Sequence, residues 1–448
     1  MRKRLFLILL LFTPLLGGVG GGFLFAQDYA RLSERTIMGT ARYVGMSGAM
    51  TAIGGDPSSV LDNPAGLGLY QRAEAMVTFD GMFDYTRQVG EHDRVYRGLF
   101  MCPQASLIFH LPNFTPNASG IQGHNFMLSY HRLQSYSRTF NGYGTNEASL
   151  GSIMPTDIKD MIPFNKMDRA ESNSLNLRES GYVNKYSFNW ALNIAHKWYV
   201  GLGLHIQDFI VVSEANYVET FADRNAEGAK YYNQNRSSLQ FAGVGFSASA
   251  GLIYRPLKWL RMGLGVEAPS VGNMRTYTSG TFSALTDSLR NSYAPDLTNS
   301  DRSFHMPLHV SSSVAFQIGA YGMLSLQYDY RNQLKETPVH SLRAGLEVIP
   351  VMGMYINAGY AYESTFKPAN APVALDPDFN RQDAYFIHPR NTQYVSAAVG
   401  YRGPNVIVQA AYQYRWQNIN LFAHEAANPY DIHTDTHRIV VTIGWHRN

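Results

Sequence analysis

Apolar and polar residues alternate one for one along much of this 448-residue chain, a period that extended strands with two unlike faces satisfy. Tyr186, Phe188, Trp190, Leu192 and Ile194 alternate with Ser187, Asn189, Ala191, Asn193 and Ala195. Leu324, Leu326, Tyr328 and Tyr330 alternate with Ser325, Gln327, Asp329 and Arg331. Leu342, Ala344, Leu346 and Val348 alternate with Ser341, Arg343, Gly345 and Glu347, and Val406 to Tyr414 largely repeat the pattern. One such run fits a soluble sandwich equally well. The connections separate the two.

Counting runs from Glu74 onward gives about fourteen strands, an even number, as bacterial membrane barrels require. Tight links fall near Lys197-Trp198, Pro256 to Lys258, Gly319 to Gly322, Pro350 to Gly353 and Arg402 to Asn405. Long polar links fall at Asn141 to Ser180, Glu214 to Leu239, Asn273 to Ser303, Glu363 to Arg390 and Gln417 to Asp435. Long extracellular loops alternating with short periplasmic turns are the mark of an all-β fold, a transmembrane antiparallel β-barrel. The last strand, Arg438 to His446, must pair with the first to remove both edges.

Composition agrees. Tyr 29, Phe 24 and Gly 39 are high counts, as aromatic girdles and close strand packing demand. The net charge of +3 is too small to suggest nucleic acid. Cys102 stands alone, so no intramolecular disulfide forms, and it reads as a small strand residue. Arg2, Lys3 and Arg4 precede an apolar run from Leu5 to Leu16, and Leu24-Phe25-Ala26 offers a cleavage site. Residues 1–26 therefore read as a signal peptide, with export to the cell outer membrane. The run is shorter than the roughly 20 residues of a spanning helix.

Residues 27–73 do not alternate. Gly39-Thr40-Ala41-Arg42, Gly45-Met46-Ser47-Gly48-Ala49 and Gly54-Gly55-Asp56-Pro57 lead to Asn63-Pro64-Ala65-Gly66-Leu67. A barrel of about fourteen strands is wide enough to leak, and a folded segment of this length would plug its lumen. Residues 74–448 then form the barrel. The segment from Ala41 to Leu67 resembles the hatch of the FadL/TodX outer-membrane transporters of long-chain fatty acids and aromatic hydrocarbons. The stretch Ile253 to Gly263 is similar to that family's strand, tight turn and strand. The resemblance implies fourteen strands, an N-terminal plug with Asn63, Pro64, Ala65 and Gly66 as gate residues, and an apolar lumen pocket. It also implies a sideways exit beside a kinked third strand. Here the third strand, read as Asn125 to Phe140, contains no Gly or Pro to mark a kink.

No enzymatic constellation stands out, and no cofactor is expected. Gly263-Leu264-Gly265 lies within a strand and precedes no helix, unlike a dinucleotide loop. Gly245 to Ser249 lacks the last glycine of a nucleophile elbow. His433, Asp435 and His437 share a strand face, but read as solvated loop-end residues. Asp376, Asp378, Asn380 and Asp383 lack the glycine and closing Glu of a calcium loop.

The expected function is passive uptake of a hydrophobic small molecule, fatty-acid-like or aromatic, across a lipid membrane. Arg331, Arg343 and Glu347 point inward and are candidates either for a ligand headgroup or for pairing within a polar lumen. Phe164, with Ile153, Met154, Met161 and Ile162, would gather ligand in a long loop. The alternative is an outer-membrane interaction or secretion-partner protein built on the same barrel. Its surface would use Phe221, Tyr231 and Tyr232 to meet an outer-membrane protein partner.

Overall fold

The computed structural model describes residues 32–113, 120–145, 149, 170–222, 230–285, 290–294, 298–332, 338–365, 385–424 and 427–446. Among them eighteen strand segments form one closed antiparallel sheet. The first segments are β1 (Glu74–Gln88), β2 (Arg94–Pro112), β3 (Ile121–Ser135) and β4 (Arg138–Gly144). Long hairpin strands β5 (Ser172–Ile194), β6 (Trp198–Ala222) and β7 (Lys230–Leu257) follow. Then come β8 (Leu260–Glu267), β9 (Val271–Leu285), β10 (Arg290–Tyr293), β11 (Thr298–His305) and β12 (His309–Ile318). The rest are β13 (Gly322–Arg331), β14 (Val339–Val348), β15 (Met354–Glu363), β16 (Phe386–Arg402), β17 (Val406–Phe422) and β18 (Tyr430–His446). Both β3 and β4 pair with β5; both β8 and β9 pair with β7; β10 and β11 pair with β9, and β12 with β8. These interrupted strands count as three, so the barrel has fourteen. It closes at β1 and β18, with Glu74 opposite His446 and Gln88 opposite Ile432.

The sidedness is that of a membrane barrel. Phe79, Leu107, Leu128, Phe188, Leu204, Leu342 and Ile443 face outward and are exposed. Gln104, Asn125, Lys185, Asn189, Gln207, Ser311 and Gln409 face inward and are buried. A soluble sandwich would bury the first set. The plug explains the second: residues 32–70 fill the lumen, and nearly all of them are buried.

The long links are shorter than expected. Most of Glu214 to Leu239 is the extended hairpin of β6 and β7, which run 25 and 28 residues. That is more than twice the roughly 9–11 residues needed to cross a bilayer. On β5 the polarity inverts along the strand. Tyr186 and Phe188 point outward near the turn end, whereas Leu175 and Leu177 point inward near the loop end, with Asn176 and Arg178 outside. The loop-end half thus projects beyond the apolar belt and reads in sequence as a polar link. Phe221 is corrected by the same fact: it is buried inside β6, not displayed on a loop.

Candidate functional site: the plug, the lumen and a side gap

Local chemistry folds the plug. Thr40 caps the short helix α1 (Ala41–Gly45), its side chain accepting from the Tyr43 amide. The Thr40 hydroxyl also donates to the Asp56 carboxylate at 2.7–2.8 Å, and Asp56 accepts from the Ser58 amide at 2.9 Å. Burial pushes the Asp56 carboxyl up from its ordinary value, against the opposing pull of Arg42. Asn63 caps the 3-10 turn Pro64–Leu69, its Oδ1 accepting from the Ala65 amide at 3.0 Å, with Pro64 at the first position.

Two sets of contacts seat this plug. The first is a trough of inward glycines. Gly201 faces Gly251, and Gly251 faces Gly265, across β6, β7 and β8. The Asp62 carbonyl lies 1.9 Å from where a Cβ on Gly265 would stand, and Asn63 Oδ1 lies equally close for Gly251. Backbone of Pro64 and Ala65 lies about as tightly over Gly201, within 2.3–2.4 Å of such a Cβ. Asn63 Nδ2 donates to the Leu252 carbonyl at 3.2 Å, fixing the turn to the wall. Across the lumen, Gly345 and Gly359, themselves opposite, take Met46 and Ser47.

The second set is ionic. Arg42 donates to Glu347 through two bonds of 2.6 and 2.8 Å. Arg343 lies 3.0 Å from Asp329 on the wall and 3.5 Å from Asp62 on the plug, whose carboxylate also accepts from Tyr43 at 2.7 Å. Arg331 donates to the Ser33 carbonyl at 2.7 Å and pairs with Glu363 at 2.7 Å. Arg35 and Lys185 share Glu267 at 2.6 and 2.5 Å. Arg331, Arg343 and Glu347 therefore each meet a different part of the plug and do not converge on one pocket. Phe164 and its loop neighbours lie outside the described residues, as do residues 1–26.

Above the plug the inward residues form two apolar clusters, with buried Asn173, Glu179, Ser213 and Glu219 set among them. Leu133, Tyr136, Val183, Phe209, Val211, Leu239, Phe241 and Phe304 pack with Leu32 and Leu61 of the plug. Nearer the loop end, Phe140, Leu175, Leu177, Tyr217, Phe282, Leu421, Tyr430 and Ile432 form another cluster. Two large concavities, of about 1130 and 940 Å³, lie instead on the outer wall among lipid-facing side chains, and neither belongs to the channel.

Among the described residues the wall is incomplete between β2 and β3. β2 pairs with β1 almost throughout, but with β3 only from Gln104 to Pro112. From Arg94 to Pro103 its other edge carries no strand partner among the described residues. β3 follows β5 up to Ser135, with a bulge between Arg132 and Gln134, and the strand then breaks at 136–137. β4 turns inward: Tyr143 exchanges two hydrogen bonds with the Gln88 side chain at 2.6 and 2.7 Å, and Gly142 lies against the Tyr430 ring. Arg97 reaches across to Thr139 at 3.2 Å. Met38, Met82, Met101 and Leu99 line the floor of this gap.

The break at 136–137 thus falls within Asn125–Phe140, a stretch without Gly or Pro of its own. Its markers sit on both neighbours. Pro103, within a bulge of β2, lacks the amide that would continue the ladder. Gly181 of β5, at φ +129°, takes the conformation and the close approach of Ile210 that the break requires, and its carbonyl accepts from the Tyr136 amide.

The architecture has solved counterparts. A Pseudomonas aeruginosa FadL homologue superposes with a TM-score of 0.56, covering 92% of this chain and 99% of its own at 11% identity. The Ralstonia pickettii toluene transporter TbuX gives 0.55, with 92% and 99% covered at 13% identity. The monoaromatic hydrocarbon channel CymD gives 0.53, with 93% and 99% covered at 12% identity. The chain has the FadL-type fold. No protein-family model matches it, and no curated protein does. At such identities the FadL-type fold is what is shared, and the contacts that seat the plug are properties of this chain.

His433, Asp435 and His437 are engaged by neighbours. His433 bonds to Asn418 at 2.6 Å and to Asp435 at 3.2 Å, and His437 to the Tyr412 hydroxyl at 2.7 Å.

Proposed function

We propose that this chain is a passive outer-membrane channel for hydrophobic small molecules, of the fatty-acid or aromatic class. The reading is carried by one observation: two apolar clusters of the upper lumen stand above a polar, ion-paired plug, beside a gap in the wall. An apolar solute that enters from the loop end meets a surface that desolvates it. Below it, the plug closes the direct route to the turn end. The gap between β2 and β3, floored by methionine and leucine, offers the same solute a sideways route into lipid. The solved counterparts include a toluene transporter and a monoaromatic hydrocarbon channel, which fits this cargo. In this reading Asn63, Pro64, Ala65 and Gly66 hold the gate against the wall. Arg331, Arg343 and Glu347 govern passage through the plug they bind.

The test is uptake into proteoliposomes of a fatty acid, a neutral aromatic hydrocarbon and a sugar of similar size. Uptake of the first two above empty liposomes supports the channel. Sugar passage without amphiphile uptake, or capture of a protein partner with no uptake at all, would overturn it.

A further inference from the structure

The outward face of β18, β1 and β2 is graded from apolar to cationic. On β18, Trp445, Ile443, Val441 and Ile439 are exposed outward. Six residues of strand separate the first from the last, roughly 20 Å of apolar face. That approaches the roughly 25 Å height of the lipid belt of such barrels. The next outward residues, His437, Asp435 and His433, therefore stand at headgroup level on the loop side. Tyr96 faces Tyr85, which faces Asp435; one row higher, Arg94 faces Arg87, which faces His433. Tyr85 packs on Tyr96 at 5.2 Å and edge-on to His437 at 5.6 Å. Tyr85, Arg87, Arg94, Asp435 and His437 line a shallow pocket of about 290 Å³.

Two arginines directly opposite one another repel. Neither Arg87 nor Arg94 has an ion pair among the described residues, and both are exposed. Asp435 is already engaged by the Tyr414 hydroxyl at 2.5 Å and by His433. Glu91 and Asp93 in the adjoining turn are exposed. A cationic pair with no direct ion pair, above an aromatic row and an apolar wall, complements an amphiphile with an anionic head.

We propose that Arg87 and Arg94 bind the phosphate of a phosphorylated outer-leaflet lipid, whose acyl chains lie along Phe83, Phe79, Phe100 and Ile439. Guanidinium forks match phosphate oxygens through paired, charge-assisted hydrogen bonds. The bound lipid would lie against the unpaired edge of β2, at the rim of the side gap.

The experiment uses the full chain in phosphatidylcholine nanodiscs, with and without phosphatidic acid as the probe. Native mass spectrometry reads the lipid retained, and thermal unfolding reads stability. Wild type should retain phosphatidic acid over phosphatidylcholine, and the double variant Arg87→Gln/Arg94→Gln should lose roughly tenfold of that preference, about 1.4 kcal/mol. In pure phosphatidylcholine the double variant should unfold at the same temperature or higher, because the repulsion is gone. Equal retention by wild type and variant would overturn the site. So would a lower unfolding temperature of the variant in pure phosphatidylcholine, which would make the pair structural. Displacement of the lipid by equimolar inorganic phosphate would overturn the assignment to a lipid.

Discussion

Arg42 of the plug grips Glu347 of β14 with two parallel hydrogen bonds, so a segment without strand pairing is anchored to the wall by a forked ionic contact. Both side chains are largely withdrawn from water. Removing one partner of such a pair leaves the other charge buried and costs about 3–5 kcal/mol.

Glu347→Ala should therefore loosen the plug before it harms the barrel. Open-channel events in planar bilayers should become more frequent than for wild type, with barrel strand content by circular dichroism unchanged. Wild-type conductance with intact strand signal would show that this pair does not hold the gate.

The glycine trough makes a steric prediction. Gly265→Ala places a methyl group where the Asp62 carbonyl now lies. Backbone cannot rotate aside as a flexible side chain does, so overpacking of about 1–3 kcal/mol is expected. Limited proteolysis should cut the plug of the variant and spare that of wild type. Gly90 supplies the control, because a Cβ there would meet nothing within 4 Å. Its φ of +92° makes a substitution strained, but the strain is confined to an exposed turn. Gly90→Ala should leave the plug protected.

The side gap is crossed by the Arg97–Thr139 contact, and both residues are replaceable. Arg97→Cys/Thr139→Cys, in a Cys102→Ala background, should close the gap when bridged by a reducible bis-thiosulfonate linker and reopen it on reduction. Uptake of a neutral hydrocarbon into proteoliposomes should fall severalfold after bridging and recover with reductant. Unchanged uptake in a chain shown to be cross-linked would exclude the sideways route.

Arg343 gives a prediction that separates anchoring from headgroup binding. Its guanidinium is already shared between Asp329 and Asp62. Arg343→Ala should increase ion leak and should affect a fatty acid and a hydrocarbon of equal chain length alike. A loss confined to the acid would instead show that Arg343 exchanges its plug partner for a ligand carboxylate.

The barrel is legible in the sequence because lipid outside and polar plug inside impose one period on every strand within the bilayer. Tyr186 to Ile194 carries that period without a break. Beyond the lipid belt the constraint reverses, and Leu175 and Leu177 sit on the opposite side of the chain's polarity pattern from Tyr186 and Phe188. The Asn141 to Ser180 stretch consequently resembles a loop, and Gly181 escapes notice at its border. The plug is visible as small residues without alternation, with Asn63-Pro64 as its turn. Its seats are not. Gly251 and Gly265 gain their meaning from lying side by side on neighbouring strands, a relation that sequence distance hides. The stretch Asn125–Phe140 carries no mark of the break at 136–137, because Pro103 and Gly181 stand on the two strands that flank it. Inward charges at Arg331, Arg343 and Glu347 are readable, but partners such as Ser33, Asp62 and Arg42 belong to a segment hundreds of residues away.

Where the barrel closes, one side chain serves both halves of the molecule. Arg438 of β18 pairs with Asp80 of β1 across the seam and donates to the Ile37 carbonyl of the plug at 2.6 Å. Thr442 of the same strand hydrogen-bonds Thr78 across the seam and accepts from the Ala41 amide at 2.8 Å. A ring without its plug would keep the Arg438 bonds to Asp80 and Gln413 and lose the one to Ile37. Seam and plug are thereby one mechanical unit: a pull on either is felt by the other through β18.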